Sequence, residues 1–322
     1  MNSVRTKKRI KSFIYPVLLL FYAAVVAFSY GHEGAPHSAT FTFKEPMTID
    51  VHKVPCRGIN SVIFLKDSKD KTFVFKMYKN TESAIHEAFG SYVGSSVGIP
   101  INKVKIIPAR MPFIGKDANL NYAATLHTFV PGTEIDNVAQ MPYACDIYGG
   151  LKDRTNLQSL IHNNDLCDIV ALDIFLNNFD RHGGNYLFDQ KTNHYYAIDM
   201  DHIFYAARQL PNTVDAHAYN MHDAWADIFK YSIGADAHRF LMTLTRDMLS
   251  EQEVVALKRV ASTLSVLIET YPTTVLYDVW MDHAQQADYI YTEVKKSYIK
   301  MVIHFNMHYA CEIVRTINNL VA

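Results

Sequence analysis

The 322-residue chain lacks several patterns that would place it in a common class of protein. Its four cysteines include no CxxC pair, so a zinc ribbon or a thioredoxin-type site is not supported. Its GSSVG at residues 94–98 lies in an expected helix and not between a strand and a helix, so the nucleophile elbow of an α/β-hydrolase is not supported. It shows no solenoid repeat and no low-complexity tract. With 49% hydrophobic and 20% charged residues, it nevertheless has enough apolar material for a folded core.

The chain also lacks an excess of positive charge. It has 31 Lys and Arg against 32 Asp and Glu. Residues 1–31 hold five of the basic groups and none of the acidic ones, so the remainder has 26 basic groups against 32 acidic groups, a net charge of −6. Such a balance gives no general electrostatic attraction to nucleic acid. We therefore expect no nucleic-acid partner, and we expect a monomer.

The first 31 residues predict an export signal. A basic start is followed by an uncharged apolar run at residues 12–29 and then by small and turn-forming residues. This order is typical of a secretory signal peptide, and it predicts a periplasmic, secreted or host-directed protein. The apolar run is also near the minimum length for a membrane-spanning helix, so an uncleaved membrane anchor is the alternative.

The even number of cysteines fits an exported protein. Cys56, Cys145, Cys167 and Cys311 permit two disulfides in three pairings. Cys167 lies in an apolar helical run, where a buried free thiol is the expected state. The sequence alone does not choose among these pairings.

Hydrophobic periodicity predicts a small sheet that carries one helix in the first part of the chain. A polar turn separates two alternating strands, and Thr81 is a candidate N-cap for the helix that follows. Gly98 and Pro100 end that helix. The expected strands are residues 61–66, 72–78, 101–108 and 122–132, and the expected helix is 81–100.

The second part of the chain predicts helices around one short hairpin. Ser250 and Glu253 fit a capping box at the start of a long helix. The expected helical segments are 156–177, 254–271 and 276–322, and the hairpin strands are 186–189 and 195–199. A small sheet followed by helices predicts an α+β fold with two lobes. We place a sheet-rich N-lobe at residues 40–131, a linker near Pro131–Asn137, and a larger helical C-lobe at residues 137–322.

Five residues in this frame have the chemistry of phosphoryl transfer. Lys76 lies in the middle of a strand, and Glu87 on the next helix can pair with it and aim it at phosphates. Asp180, Asn185 and Asp199 lie on short loops beside strands, where two carboxylates and an amide can bind Mg²⁺ or Mn²⁺. Kinases combine these three features: a lysine for the phosphates, a metal site, and an aspartate that contacts the acceptor hydroxyl.

The order of these residues resembles a known group of kinases. DRHGGN at 180–185, followed by YYAIDMDHIF at 195–204, is similar to the DRHxxN and IDFGHIL segments of phosphatidylinositol 3-/4-kinases. Upstream, residues 58–76 and 86–100 look more like type II phosphatidylinositol 4-kinases and their bacterial relatives. HipA-like kinases and secreted Golgi-type kinases share this skeleton. The similarity covers roughly residues 56–210, and the last third of the chain has no such resemblance.

The resemblance implies a protein-kinase-like fold that binds ATP and transfers its γ-phosphate to a phosphoinositide or to a protein. The implied catalytic residues are Asp180, Lys76 and Glu87, and the implied metal ligands are Asn185 and Asp199. The implied nucleotide-binding residues are Lys76, Gly58, Asn60, Ser61, Phe129 and Val130. Asp173 and Asn178 match buried positions that support the catalytic loop, and His182 is expected to act there as a hydrogen-bond donor.

Two positions depart from the pattern of these families. Asp201 stands where glycine is usual, which removes a flexible position and adds a carboxylate near the metal. The turn expected to cover the nucleotide, residues 56–60, has one glycine rather than several. The alternatives to a lipid kinase are therefore a secreted protein kinase and a nucleotide-binding pseudokinase without activity. Transfer of a nucleotidyl group instead of a phosphate also stays open.

Overall fold

The computed structural model describes residues 48–49, 61–78, 80–108, 123–134, 150–209, 226 and 228–322. The expected export signal, Gly58 and Asn60 lie outside these residues. Within the described part of the chain, no helix has both the length and the hydrophobicity needed to cross a bilayer.

An antiparallel sheet forms the N-terminal part of the described structure. Its strands are β1 (Thr48–Ile49), β2 (Ser61–Lys66), β3 (Thr72–Tyr78), β4 (Val104–Pro108) and β5 (Ala123–Thr128). Their order across this five-stranded sheet is β1-β2-β3-β5-β4. The central strand β3 pairs with both neighbours, so that Lys76 lies opposite Val62 on one side and Thr125 on the other. The predicted hairpin of β2 and β3 is confirmed to the residue.

The two faces of β3 have different roles. Phe73 and Phe75 are buried in a small core with Leu65 and Leu126, and Met77 packs against this core. The alternate residues Lys76 and Tyr78 lie on the opposite face and are also buried. Because successive side chains of a strand point to opposite faces, this alternation directs the Lys76 ammonium away from the small core.

Helix α1 (Thr81–Ser96) packs against this sheet and is covered on nearly all sides. Its N-cap is Asn80, whose side chain accepts a hydrogen bond from the Glu82 N–H, so the expected cap at Thr81 is wrong by one residue. Both residue types suit this position, but only Asn80 has the extended backbone of an N-cap. Apolar residues of α1, including Phe89, join the large core of the second part.

The C-terminal part is mainly helical, as expected. The hairpin of β7 (Tyr186–Asp189) and β8 (His194–Ala197) is joined by β6 (Thr133–Glu134), which lies in the predicted linker. The chain is therefore already part of this second sheet at Thr133. The helices are α2 (Arg154–Leu160), α3 (Asn164–Leu176), α4 (Tyr205–Gln209), α5 (Ile233–Leu241), α6 (Glu251–Thr270), α7 (Thr273–Gln286) and α8 (Glu293–Val321).

The capping box of α6 and the buried thiol are both as predicted. The Ser250 side chain accepts from the Glu253 N–H, and the Glu253 carboxylate accepts from the Ser250 N–H. Cys167 is a fully buried free thiol, and Cys311 is a partly buried free thiol. Neither of them forms a disulfide in this structure, and Cys56 and Cys145 lie outside the described residues.

Candidate active site

A buried lysine joins the two parts of the fold. The Lys76 Nζ lies 2.7 Å from Asp199 Oδ1 and 3.4 Å from Glu87 Oε2. Glu87 is fully buried, whereas a third of the Asp199 side chain is exposed. The ion pair that the sequence predicts between Lys76 and Glu87 is thus present, and Asp199 adds a second anionic partner 123 residues along the chain.

The charges in this cluster change one another's pKa values. Burial alone lowers the pKa of Lys76, but Glu87, Asp199 and the other nearby groups together raise it well above its ordinary value, so the lysine is charged. Burial raises the pKa of Glu87 to about 7, and Lys76 is the main group that opposes this rise. Burial also raises the pKa of Asp199, and the attraction of Lys76 offsets only part of this rise.

The turn that follows β8 fixes Asp199 beside the lysine. Asp199 has φ of 59°, a left-handed conformation that is uncommon for a residue with a side chain. The next residue, Met200, donates its backbone N–H to Glu87 Oε2 at 3.1 Å and is fully buried. Backbone strain of this kind persists only when surrounding contacts hold it, and it often marks a functional site.

Arg181 holds the loop that carries the predicted catalytic aspartate. Its guanidinium is fully buried and makes a two-bond contact with Asp173, at 2.9 and 3.0 Å. Its Nη1 donates to the backbone carbonyls of Asn185 and Ile198, both at 2.6 Å. One side chain therefore ties helix α3 to the loop and to the end of β8. Asn178 also donates to Asp173, at 2.9 Å, which agrees with the expected supporting positions.

Asp180 lies at the surface of this rigid loop. Its side chain is 38% exposed, and its Oδ2 is 3.5 Å from His202 Nδ1. Its backbone carbonyl accepts from the Asn185 side-chain nitrogen at 2.7 Å. His182 supports the loop, but its Nδ1 accepts a hydrogen bond from the Gly184 N–H, so the expectation that it donates is not what the structure shows for this atom. Asp180 is thus a partly exposed carboxylate on a fixed backbone.

The residues present can bind a divalent cation. Glu87, Asp199 and Asp201 each offer a carboxylate oxygen, and these oxygens lie within 4.8 Å of one another. The Asn185 side-chain nitrogen donates a hydrogen bond to the backbone carbonyl of Asp180. The Oδ1 of Asn185 is therefore the atom that can ligate a cation. Carboxylate and amide oxygens suit Mg²⁺ and Mn²⁺. The predicted ligands Asn185 and Asp199 therefore have suitable chemistry, and their role as ligands stays a prediction.

Besides Lys76, three of the predicted nucleotide-binding residues are described. Ser61 begins β2, next to Val62, which pairs with Lys76. Phe129 and Val130 follow β5, and Phe129 is 37% exposed with its ring edge-on to Phe64. Their role in nucleotide binding stays a prediction.

Sequence reasoning missed how closely α1 packs on the turn at residues 199–201. A Cβ placed on Gly90 would lie 2.8 Å from the Cβ of Met200, closer than real contacts allow. His86 Nδ1 lies 3.2 Å from the Asp201 carbonyl. The glycine on the helix was the available signal, because a helix residue without a side chain permits close approach of another backbone. The partner turn could not be identified from the sequence.

Comparisons with known proteins place this geometry in a known fold. No family model matches the chain, and no curated protein matches it. The solved structure of the Helicobacter pylori proinflammatory kinase CtkA is similar, with a TM-score of 0.56 and 12% identity over 84% of this chain and 96% of that one.

Two further similar structures have lower TM-scores. CtTel1 in its open conformation has a TM-score of 0.37 and 15% identity, over 89% of this chain and 12% of that one. HipA from Shewanella oneidensis has a TM-score of 0.34 and 11% identity, over 91% and 68%. The likeness to CtkA carries the fold assignment. The fold is kinase-like, with a small antiparallel sheet first and a helical part after it, as the sequence predicts.

Proposed function

We propose that this chain is an ATP-dependent phosphotransferase that moves the γ-phosphate to a hydroxyl group of a phosphoinositide. The observation that carries the proposal is the ion-paired Lys76 between Glu87 and Asp199, at the base of a loop that presents Asp180. The kinase-like fold supports the same conclusion. The assignment to phosphatidylinositol 3-/4-kinase-like enzymes follows from the DRHGGN segment.

The proposed mechanism gives separate tasks to the two sides of the site. Lys76 binds the nucleotide phosphates and offsets their negative charge, while Glu87 holds the lysine in place. Asn185 and Asp199 would hold Mg²⁺ or Mn²⁺, which would further neutralise the charge on the phosphates. Asp180 accepts a hydrogen bond from the acceptor hydroxyl and orients it toward the phosphate. The barrier falls mainly through positioning and charge neutralisation.

Aromatic residues beside Asp180 support a ring-shaped acceptor. Phe179 directly precedes Asp180, is 39% exposed and stacks on Tyr205 with ring centroids 5.2 Å apart. Tyr231 meets Phe179 edge-on at 5.9 Å, and the Lys230 ammonium lies 5.0 Å above the Tyr231 ring. Aromatic faces offer apolar contact to the C–H face of a cyclitol, and a nearby ammonium suits its phosphate groups. This favours a phosphoinositide over a protein acceptor.

The test measures which products form and which acceptor is used. The full chain, kept in mild detergent, is mixed with Mg²⁺-ATP or Mn²⁺-ATP and with either phosphoinositide vesicles or a protein acceptor. The nucleotide product is identified by chromatography. We expect ADP, with one phosphate transferred to lipid for each ADP formed. Asp199→Ala is expected to abolish the reaction, and Phe179→Ala is expected to weaken lipid binding without a change in ATP affinity.

Three other results would each replace the proposal. Transfer to the protein acceptor alone would identify a protein kinase. AMP and pyrophosphate would identify nucleotidyl transfer. Nucleotide binding without turnover, in the wild type as well as the variants, would identify a pseudokinase.

A further inference from the structure

His202 connects the carboxylates on the two sides of the site. Its Nδ1 lies 2.6 Å from Asp201 Oδ1 and 3.5 Å from Asp180 Oδ2. Both neighbours are carboxylates, which accept hydrogen bonds when ionised, so Nδ1 must carry the proton. Asp201 is buried, and its main chain is held by the His86 contact, so it forms a fixed support for the imidazole.

The His202 ring also stacks on an aromatic side chain. Its ring stacks on Tyr205 at 6.4 Å between centroids and 20° between planes, and Tyr205 stacks in turn on Phe179. Phe179 is the residue before Asp180. His202 is thus held by Asp201 at one edge and by an aromatic stack on one face, and the same stack reaches the catalytic loop.

We propose that His202, oriented by Asp201, is a positioning residue for Asp180. The proposal rests on the proposed function of Asp180 as the group that orients the acceptor hydroxyl. The imidazole donates its Nδ1–H to Asp201 and is fixed by it, and at 3.5 Å from Asp180 Oδ2 it restricts the rotamers of that carboxylate. An exposed aspartate without such a partner has several rotamers, and a misplacement of about 1 Å can reduce a rate about 100-fold.

This assignment gives a function to the departure at position 201. Asp201 is absent from the described residues with positive φ, so its backbone does not require glycine. Its Oδ1 is directed to His202, so the additional carboxylate acts on the acceptor side of the site. The departure at residue 201 is then a device for positioning and not a sign of lost activity.

The kinetic test uses two amide substitutions that place a nitrogen at different positions of the imidazole. His202→Asn places an amide nitrogen where Nδ1 is, and His202→Gln places one where Nε2 is. We expect kcat for transfer to fall about 10- to 100-fold in His202→Gln and in Asp201→Gly, and to stay within about threefold of wild type in His202→Asn. The affinity for Mg²⁺-ATP, measured with a fluorescent analogue, is expected to be unchanged in His202→Asn and in His202→Gln.

A second measurement does not depend on activity. In protein with ¹⁵N-labelled histidine, the His202 signals are assigned by their loss in His202→Asn. We expect the neutral imidazole to carry its proton on Nδ1 in the wild type and on Nε2 in Asp201→Gly, which lacks the carboxylate support. If the wild type has no transferase activity but Nδ1 is protonated, the proposed function fails while the Asp201–His202 contact stands.

Clear results would overturn the positioning role. Equal losses in His202→Asn and His202→Gln would show that the imidazole acts through its shape or stacking. An unchanged kcat in His202→Gln would show that Asp180 needs no such partner. A parallel loss of ATP affinity would place the effect on the nucleotide side. An Nε2-protonated wild type would exclude the hydrogen bond itself.

Discussion

Replacement of Lys76 by methionine should make the stability of the protein depend on the ionisation of Glu87. Glu87 is fully buried, and burial already raises its pKa to about 7 while Lys76 opposes the rise. Without the cation, the pKa rises further. The folded variant should then hold a proton on Glu87 at pH 5 to 7, whereas the unfolded chain, with an ordinary glutamate pKa, should not.

The sign and size of the effect follow from this difference. A carboxyl group whose pKa is higher in the folded state loses stability as pH rises above its unfolded value. One proton corresponds to about 1.4 kcal/mol per pH unit, so the free energy of unfolding of Lys76→Met should fall by about 3 kcal/mol from pH 5 to pH 7 through Glu87. The wild type should show a smaller fall, because Lys76 favours the ionised form.

The matched control removes the titrating group. In the double variant Lys76→Met/Glu87→Gln, residue 87 cannot ionise, and the contribution of about 3 kcal/mol should vanish. Asp199 and all other titrating groups remain in both variants, so the difference between them isolates Glu87. Urea unfolding in metal-free buffer, followed by tryptophan fluorescence at pH 5, 6 and 7, measures the difference. Profiles that run parallel within about 1 kcal/mol would refute the reasoning.

Three other changes test the surroundings of the site. Arg181→Met should destabilise the protein by about 3 to 5 kcal/mol in urea unfolding at pH 7, because Asp173 is left buried without its cation; a loss below about 1 kcal/mol would contradict this. Gly90→Ala should weaken ATP binding and lower Tm, since its Cβ would lie 2.8 Å from the Cβ of Met200. Burial raises the pKa of Cys167 to about 12, so this thiol should not react with Ellman's reagent at pH 8 in the native protein. Cys167→Ala should therefore leave the number of reactive thiols unchanged in native protein and reduce it by one in urea.

Much of the fold could be predicted from the sequence because local patterns decide it. The alternation in residues 72–78 predicts β3 and places Lys76 on the face opposite Phe73 and Phe75. The capping box at Ser250 predicts the start of α6. These signals act within a few residues, where steric and hydrogen-bond preferences are strong.

The remaining features depend on contacts between distant segments. The approach of Gly90 to Met200 forms only when the turn after β8 packs on α1, and the contact between His202 and Asp180 forms only when the segment after that turn reaches the loop at 180–185. No periodicity or spacing predicts which of two adjacent capping residues, Asn80 or Thr81, takes the extended backbone. The sequence therefore identifies the participants in the site more readily than the supports that hold them.

The covering of α1 has a consequence for the order of assembly during synthesis. The buried Lys295 of α8 pairs with Glu82 of α1 at 3.2 Å, across 213 residues of sequence, and Trp280 of α7 packs on Phe89. Helix α1 leaves the ribosome early, but the helices that cover it are among the last segments made. At about 5 to 20 residues per second, the delay is about 10 to 40 seconds. Helix α1, which carries Glu87, therefore gains its final cover only when the chain is nearly complete, and a nascent chain should be unable to bind ATP productively until then.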